Sequence, residues 1–358
     1  MRALRYHGNR DVRVDEIAEP ALRPGWVKIK NEYCGICGSD LHEYLVGPKN
    51  APAKPHVLTG EQLPTILGHE FAGTIEALGE GLEDSPLKPG QKCAVFPVLG
   101  DRSCYWCRRD ISGMCPKWGF LGYSGYGGGM AEYICVDARD VHLVPESMSL
   151  DVAALVEPLA VAWHGVKLGF PSPEAGDSAL VLGAGPIGIA VILCLRAHGI
   201  STIIVSEISE LRSQQARDAG ATHVLNPLTT DVVEESKRLT DGLGCHVALE
   251  CAGVQASFDT ALYGVRGQGK IINIGVFEKD ITFNPNIVNR RSLTYIGSNV
   301  YTRVEFQEVI DAVANGRIEH PERMITGRVA LSEGVEKGFE ALVKEREKHV
   351  KILIKASS

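Results

Sequence analysis

One short segment limits the fold of this chain more than any other: Gly183-Ala184-Gly185-Pro186-Ile187-Gly188. It matches G-x-G-x-x-G, and such a match alone carries little weight. Here it directly follows a strand-like apolar run, Ser178–Leu182, and opens a helical stretch reaching Ala197, which is the context a dinucleotide turn requires. Gly183 permits the tight turn, Gly185 admits a pyrophosphate, and Gly188 lets helix and strand pack closely. Ile187, in the first helical turn, is grouped with them as cofactor-binding. Further apolar runs follow at 202–205, 223–225, 246–250, 270–274 and 293–297, with helical stretches between them, two of them stopped at Gly199 and Gly220. Six strands with five crossovers predict an α/β fold built on a doubly wound parallel sheet, of the Rossmann type.

The end of the second strand addresses cofactor choice. Glu207 stands 24 residues after Gly183. A carboxylate there accepts hydrogen bonds from the adenosine-ribose hydroxyls and repels a 2′-phosphate, favouring NAD over NADP. Arg212, one helical turn onward, could flank the adenine or weaken that discrimination.

The first 150 or so residues have a different texture, rich in Gly and Pro, with short β-like runs at 27–31 and 131–136 and no long helical periodicity. Beyond 299 come a helix near 304–314 and a final apolar run at 350–354. At 358 residues, two domains are expected. A net charge of −7 leaves no large cationic field, which argues against nucleic-acid binding. The uncharged run 179–195 is broken by glycine and proline and is too short for a membrane span. Residues 1–7 have no apolar leader pattern, so a cytoplasmic location is expected, where clustered cysteines bind metal more often than they pair.

Two clusters follow from the cysteines. Asp101, Cys104, Cys107 and Cys115 lie within fifteen residues, a compact four-donor set suited to a structural zinc. Cys34-Gly35-Ile36-Cys37-Gly38-Ser39-Asp40-Leu41-His42, Gly68-His69-Glu70 and Glu157-Pro158 are dispersed, and spacing alone does not join them.

These pieces, in this order, resemble the zinc-dependent medium-chain dehydrogenases over essentially the whole chain. Residues 56–60 leading into 67–70, with Tyr301-Thr302-Arg303, are most similar to the (R,R)-butanediol dehydrogenase branch. The resemblance implies a GroES-like, mostly-β catalytic domain from 1–160 and 299–358, interrupted by an NAD-binding Rossmann domain at 161–298. It implies a catalytic zinc held by Cys37 and His69, with Glu157 where alcohol dehydrogenases proper have cysteine, and Glu70 able to ligate directly or in alternation with water. It further implies that Ser39 hydrogen-bonds the substrate oxygen and His42 completes a proton relay. Asp101 departs from the family's usual four-cysteine structural site and implies zinc binding at lower affinity. The implied reaction is hydride transfer between NAD and a secondary alcohol of a vicinal diol, of the 2,3-butanediol and acetoin type. The alternatives are a sorbitol or xylitol dehydrogenase and a catalytically silent NAD(H)-binding sensor. A small diol or polyol is the expected partner, with no nucleic acid or membrane, in a homodimer or homotetramer.

Overall fold

The computed structural model describes residues 1–357; Ser358, the last residue of the expected 299–358 segment, lies outside it. The chain divides into two compact units. One comprises Met1–Glu157, Tyr301–Ala314 and the chain from Ile325 onward; the other comprises Pro158–Val300 and Asn315–Met324.

The second unit contains the six-stranded parallel sheet expected from the sequence. Its strands are Ser178–Leu182, Thr202–Ser206, His223–Leu225, Cys245–Glu250, Val265–Asn273 and Thr294–Gly297, in the spatial order third, second, first, fourth, fifth, sixth. This order reverses beside the first strand, the switch point at which doubly wound sheets bind ligands. The helix Pro186–Ala197 buries eight consecutive residues, Gly188 to Leu195, which is why this stretch is uncharged. No helix among the described residues is long and apolar enough to cross a membrane. The fifth strand starts five residues earlier than the apolar run indicates. Its first half contains Gly267, Gly269 and a left-handed Gln268 (φ 61°), and its register against the fourth strand shifts there, so alternation does not reveal it.

The first unit is built around the strand Trp26–Gly35. It pairs antiparallel with Glu70–Leu78, Tyr133–Asp137 and Lys351–Lys355, within a seven-stranded sheet that also takes in Lys92–Val95, Val141–Leu143 and Ile325–Ala330. Arg2–Gly8, Asp11–Glu16 and Thr65–Ile66 form a separate three-stranded sheet. Register decides what meets at the end of the central strand: Gly35 stands opposite Glu70 on one side and Leu353 on the other. Just beyond Gly35 the chain turns at Cys37 and enters the helix Gly38–Val46, whose start is closed by the Cys37 N–H donating to Asp40 Oδ2 at 2.9 Å.

Candidate active site

That register brings together Cys37, His69 and Glu70, one donor atom from each lying within 4.8 Å of the others. His69 and Glu70 are buried and Cys37 is half-buried. A thiol, an imidazole and a carboxylate, converging with one partly open member, suit a zinc ion that keeps a position for substrate. His69 Nδ1 is buried without a hydrogen-bond partner, 3.7 Å from Asp40 Oδ1, whose charge favours the protonated imidazole but which stands beyond hydrogen-bonding distance. The residues present therefore fit a metal.

Glu70 is held closely. Both its oxygens accept from Lys351 Nζ at 2.7 Å, and Lys351 also donates to the Ile36 carbonyl at 3.1 Å. Lysine and glutamate are both about 1% exposed. A Cβ at position 35 would lie 2.0 Å from Glu70 Oε2, so only glycine fits there. Glu157 lies outside the 4.8 Å group. It is buried, and its Oε1 accepts from the Tyr301 hydroxyl at 2.8 Å. Burial pushes its carboxyl up to about 7, against the opposing charge of His69. For His69, burial works downward, but the charges of Asp40, Cys37 and Glu157 outweigh it and raise the imidazole to about 10. Without a metal, this centre retains protons.

Ser39 and His42 share the helix Gly38–Val46, three residues apart and both half-buried. The buried Tyr123 hydroxyl lies 2.8 Å from Ser39 Oγ and donates to Asp40 Oδ1 at 2.9 Å. Burial raises the Asp40 carboxyl, with the charge of His69 opposing it; the single phenolic proton of Tyr123 serves one of these two oxygens at a time. Tyr123 also packs on the His69 ring, as does Phe120, both at 5.2 Å between centroids.

The second donor group is Asp101, Cys104, Cys107 and Cys115, again within 4.8 Å. Asp101 Oδ1 accepts from the amides of Cys104 (2.9 Å) and Ser103 (3.0 Å), which hold its carboxyl well below the usual range. Backbone N–H groups of Asp101, Cys107 and Lys117 point at the Cys115, Cys104 and Cys115 sulfurs, each at 3.4 Å. The Cys107 amide lowers the Cys104 thiol, whereas burial pushes Cys107 up to about 12. Four donors with amides aimed at sulfur suit a closed, structural zinc.

In the second unit, Gly183 has φ 89°, and a Cβ at Gly188 would lie 1.9 Å from the Gly183 carbonyl oxygen, which fixes the close strand–helix packing. Beside Gly185 there is open space, and Pro186 starts the helix with the half-buried Ile187 behind it. Here the residues fit a dinucleotide phosphate at a helix N-terminus. Glu207 does more than its position at the strand end indicates. Its Oε2 accepts from the Ala184 amide at 2.7 Å, and Oε1 accepts from Ile208 and Ser209 at 2.9 Å, so it braces the turn while retaining lone pairs for ribose hydroxyls. Arg212 is half-buried on the helix Glu210–Asp218.

Asp40 and Tyr301 stand inside quoted motifs without a role assigned by the sequence, and Tyr123 and Lys351 are not singled out at all. Lys351 does leave a trace, a cation inside a terminal apolar strand, since a charge is buried there only with a partner. Tyr123 leaves none. The triplet Gly127-Gly128-Gly129 backs the site: a Cβ at 128 would lie 2.4 Å from the Leu67 carbonyl oxygen and one at 129 would lie 2.4 Å from Phe71, on either side of His69 and Glu70.

Residues 23–146 match the family model described as alcohol dehydrogenase GroES-like domain, and residues 186–315 match that described as zinc-binding dehydrogenase. An (R,R)-butanediol dehydrogenase of Neisseria gonorrhoeae is 38% identical, with 99% of each chain covered. A sorbitol dehydrogenase of Bacillus subtilis is 31% identical over 93% of this chain and 91% of its own. Among solved structures, 2R,3R-butanediol dehydrogenase from Bacillus subtilis superposes with a TM-score of 0.92 at 38% identity, covering 99% of both chains.

Proposed function

The chain belongs to the zinc-dependent medium-chain dehydrogenases, and on that premise we propose that it transfers hydride between NAD and a secondary alcohol of a vicinal diol, of the 2,3-butanediol and acetoin type. The convergence of Cys37, His69 and Glu70 in a buried site carries this reading. When bound, zinc polarises the substrate hydroxyl and NAD accepts the hydride. Cys37 and His69 hold the metal, with Glu70 or Glu157 completing the set. Lys351 offsets the charge of Glu70, which leaves Cys37 and Glu157 as the uncompensated acidic donors. Ser39 orients the substrate hydroxyl, and His42 passes its proton on to solvent.

In the second unit, Gly183, Gly185, Ile187 and Gly188 receive the pyrophosphate. Glu207 takes the adenosine ribose, and Arg212 flanks the adenine. Asp101, Cys104, Cys107 and Cys115 hold a second, structural zinc. The enzyme works in the cytoplasm, where its ten cysteines, none of them in a disulfide, stay reduced. It assembles as a homodimer or homotetramer; the edge strand Thr294–Gly297 carries a half-exposed Tyr295 suited to such an association.

Relative turnover of (2R,3R)-butanediol and sorbitol at saturating NAD tests the substrate assignment. Preference for butanediol is expected; preference for sorbitol replaces the reading with the polyol one. NADH binding without turnover of any diol by zinc-replete protein would leave a silent sensor. An unchanged rate at pH 6 to 7 in His42→Gln removes the relay role.

A further inference from the structure

The 101–115 loop and Glu157 meet through Arg303, and the contacts on both sides are specific. Asp110 follows Cys107, the third donor of the loop, by three residues, sits in a left-handed conformation (φ 60°), and donates its amide to the Cys107 carbonyl at 3.1 Å. Its two carboxylate oxygens are both taken by Arg303: Oδ2 accepts from the backbone N–H and Oδ1 from the guanidinium, each at 3.0 Å. The same guanidinium donates through Nε (3.2 Å) and Nη2 to Asp140 Oδ1. The other oxygen of Asp140 accepts from Arg102, the neighbour of Asp101, at 3.1 Å. Asp140 is 1% exposed. The loop is thus gripped beside its first donor by Arg102 and beyond its third by Arg303, on one buried carboxylate.

Arg303 also fixes what precedes it. Its guanidinium lies over the Phe96 ring at 4.6 Å, Phe96 packs edge-on against Tyr301 at 5.7 Å, and Phe306 stacks on Tyr301 at 5.8 Å while meeting Phe96 edge-on at 5.9 Å. Tyr301, two residues before Arg303, donates to Glu157 Oε1. Because Asp110 binds the backbone N–H of Arg303 as well as its side chain, a shift of the loop moves the main chain that carries Tyr301.

We propose that Arg303 is a positioning residue that transmits the placement of the 101–115 loop, through Tyr301, to Glu157 beside the catalytic metal. The inference rests on the reading that a zinc is held by Cys37 and His69. Arginine is required because a lysine cannot bridge two carboxylates with fixed geometry.

The test is zinc release from the zinc-loaded protein to a chromophoric chelator, with the catalytic phase identified as the one lost in Cys37→Ser. Outer partners of metal ligands are worth about 10–100-fold in affinity. Asp110→Asn, at a partly exposed position that tolerates the change, is expected to speed the Cys37-dependent phase about tenfold, and Tyr301→Phe at least as much. In a double-mutant cycle, Asp110→Asn adds nothing to Tyr301→Phe beyond about twofold, and Arg303→Lys behaves as Asp110→Asn does in both backgrounds. A merely structural loop contact would give multiplicative effects, and that result, or an unchanged catalytic phase in Asp110→Asn, overturns the proposal. If no phase depends on Cys37, the zinc reading itself fails, and the inference with it.

Discussion

The 101–115 loop gathers four donor atoms from fifteen residues of chain, three of them half-buried and held by turns and local amides. Cys37, His69 and Glu70 come instead from the adjoining ends of two strands brought into register, Cys37 just past one and His69-Glu70 at the start of the other, with a third strand supplying Lys351. In both groups the donor atoms lie within 4.8 Å of one another, yet the first is a property of a short sequence and the second a property of a sheet. A site that keeps an open position needs rigid, desolvated support from many parts of the fold, whereas a closed site needs only its own loop.

Removing a donor from each group breaks or sustains this contrast most sharply. Cys37→Ser is expected to lower kcat/KM by roughly a thousandfold or more while one zinc per chain, that of the loop, is retained. Cys107→Ser is expected to lose the loop zinc and thermal stability while keeping measurable turnover. Metal analysis beside initial rates separates them, and equal loss of activity in both would erase the distinction.

The next effect concerns support from the sheet. Lys351→Met leaves Glu70 as an uncompensated buried charge, which typically destabilises by about 3–5 kcal/mol. Adding Glu70→Gln should restore much of the denaturation midpoint. No recovery in the double variant would mean that the ion pair is not what Lys351 supplies.

The dinucleotide turn extends the comparison, since it is local like the loop yet braced by Glu207 from the neighbouring strand. Glu207→Ala is expected to raise the KM for NAD by about tenfold and that for NADP far less, because the lost carboxylate selects against the 2′-phosphate. Equal changes for both cofactors would reduce Glu207 to its bracing role.

The smallest effect is on pH. His69 in the metal-free fold titrates near 10 rather than 6.5, so its stabilisation is complete below pH 6.5 and lost as pH rises through 10; Glu157, raised to about 7, acts in the same direction at lower pH. Asp101 is lowered, so its contribution is present above pH 3.8 and vanishes only on acidification. Chelator-treated protein should therefore lose several degrees of melting temperature between pH 7 and 10 relative to zinc-loaded protein. Parallel curves would contradict the account of the buried centre.

How legible each part is in the sequence follows the same division. The loop donors and the glycine turn are readable because their spacing is their geometry. The inner parallel strands are readable because buried strands are continuous apolar runs, except where Gln268 and its flanking glycines hide half of one; the edge strands His223–Leu225 and Thr294–Gly297 are less buried and shorter. The assembled centre is readable only through family resemblance, since nothing local links positions 37, 69 and 157. Lys351 escapes because its partner Glu70 is 281 residues away across a sheet, Tyr123 because Ser39 and Asp40 are 84 and 83 residues away, and Asp110 because a half-exposed aspartate in a loop carries no pattern.

The central claim is that this chain uses a bound zinc and NAD to oxidise a vicinal diol, and initial rates on stereodefined diols with NAD, before and after chelation and again after zinc is restored, test it most directly. The account predicts turnover of a butanediol stereoisomer that chelation abolishes and zinc restores. Undiminished diol oxidation by protein shown to have lost its Cys37-dependent zinc would contradict it.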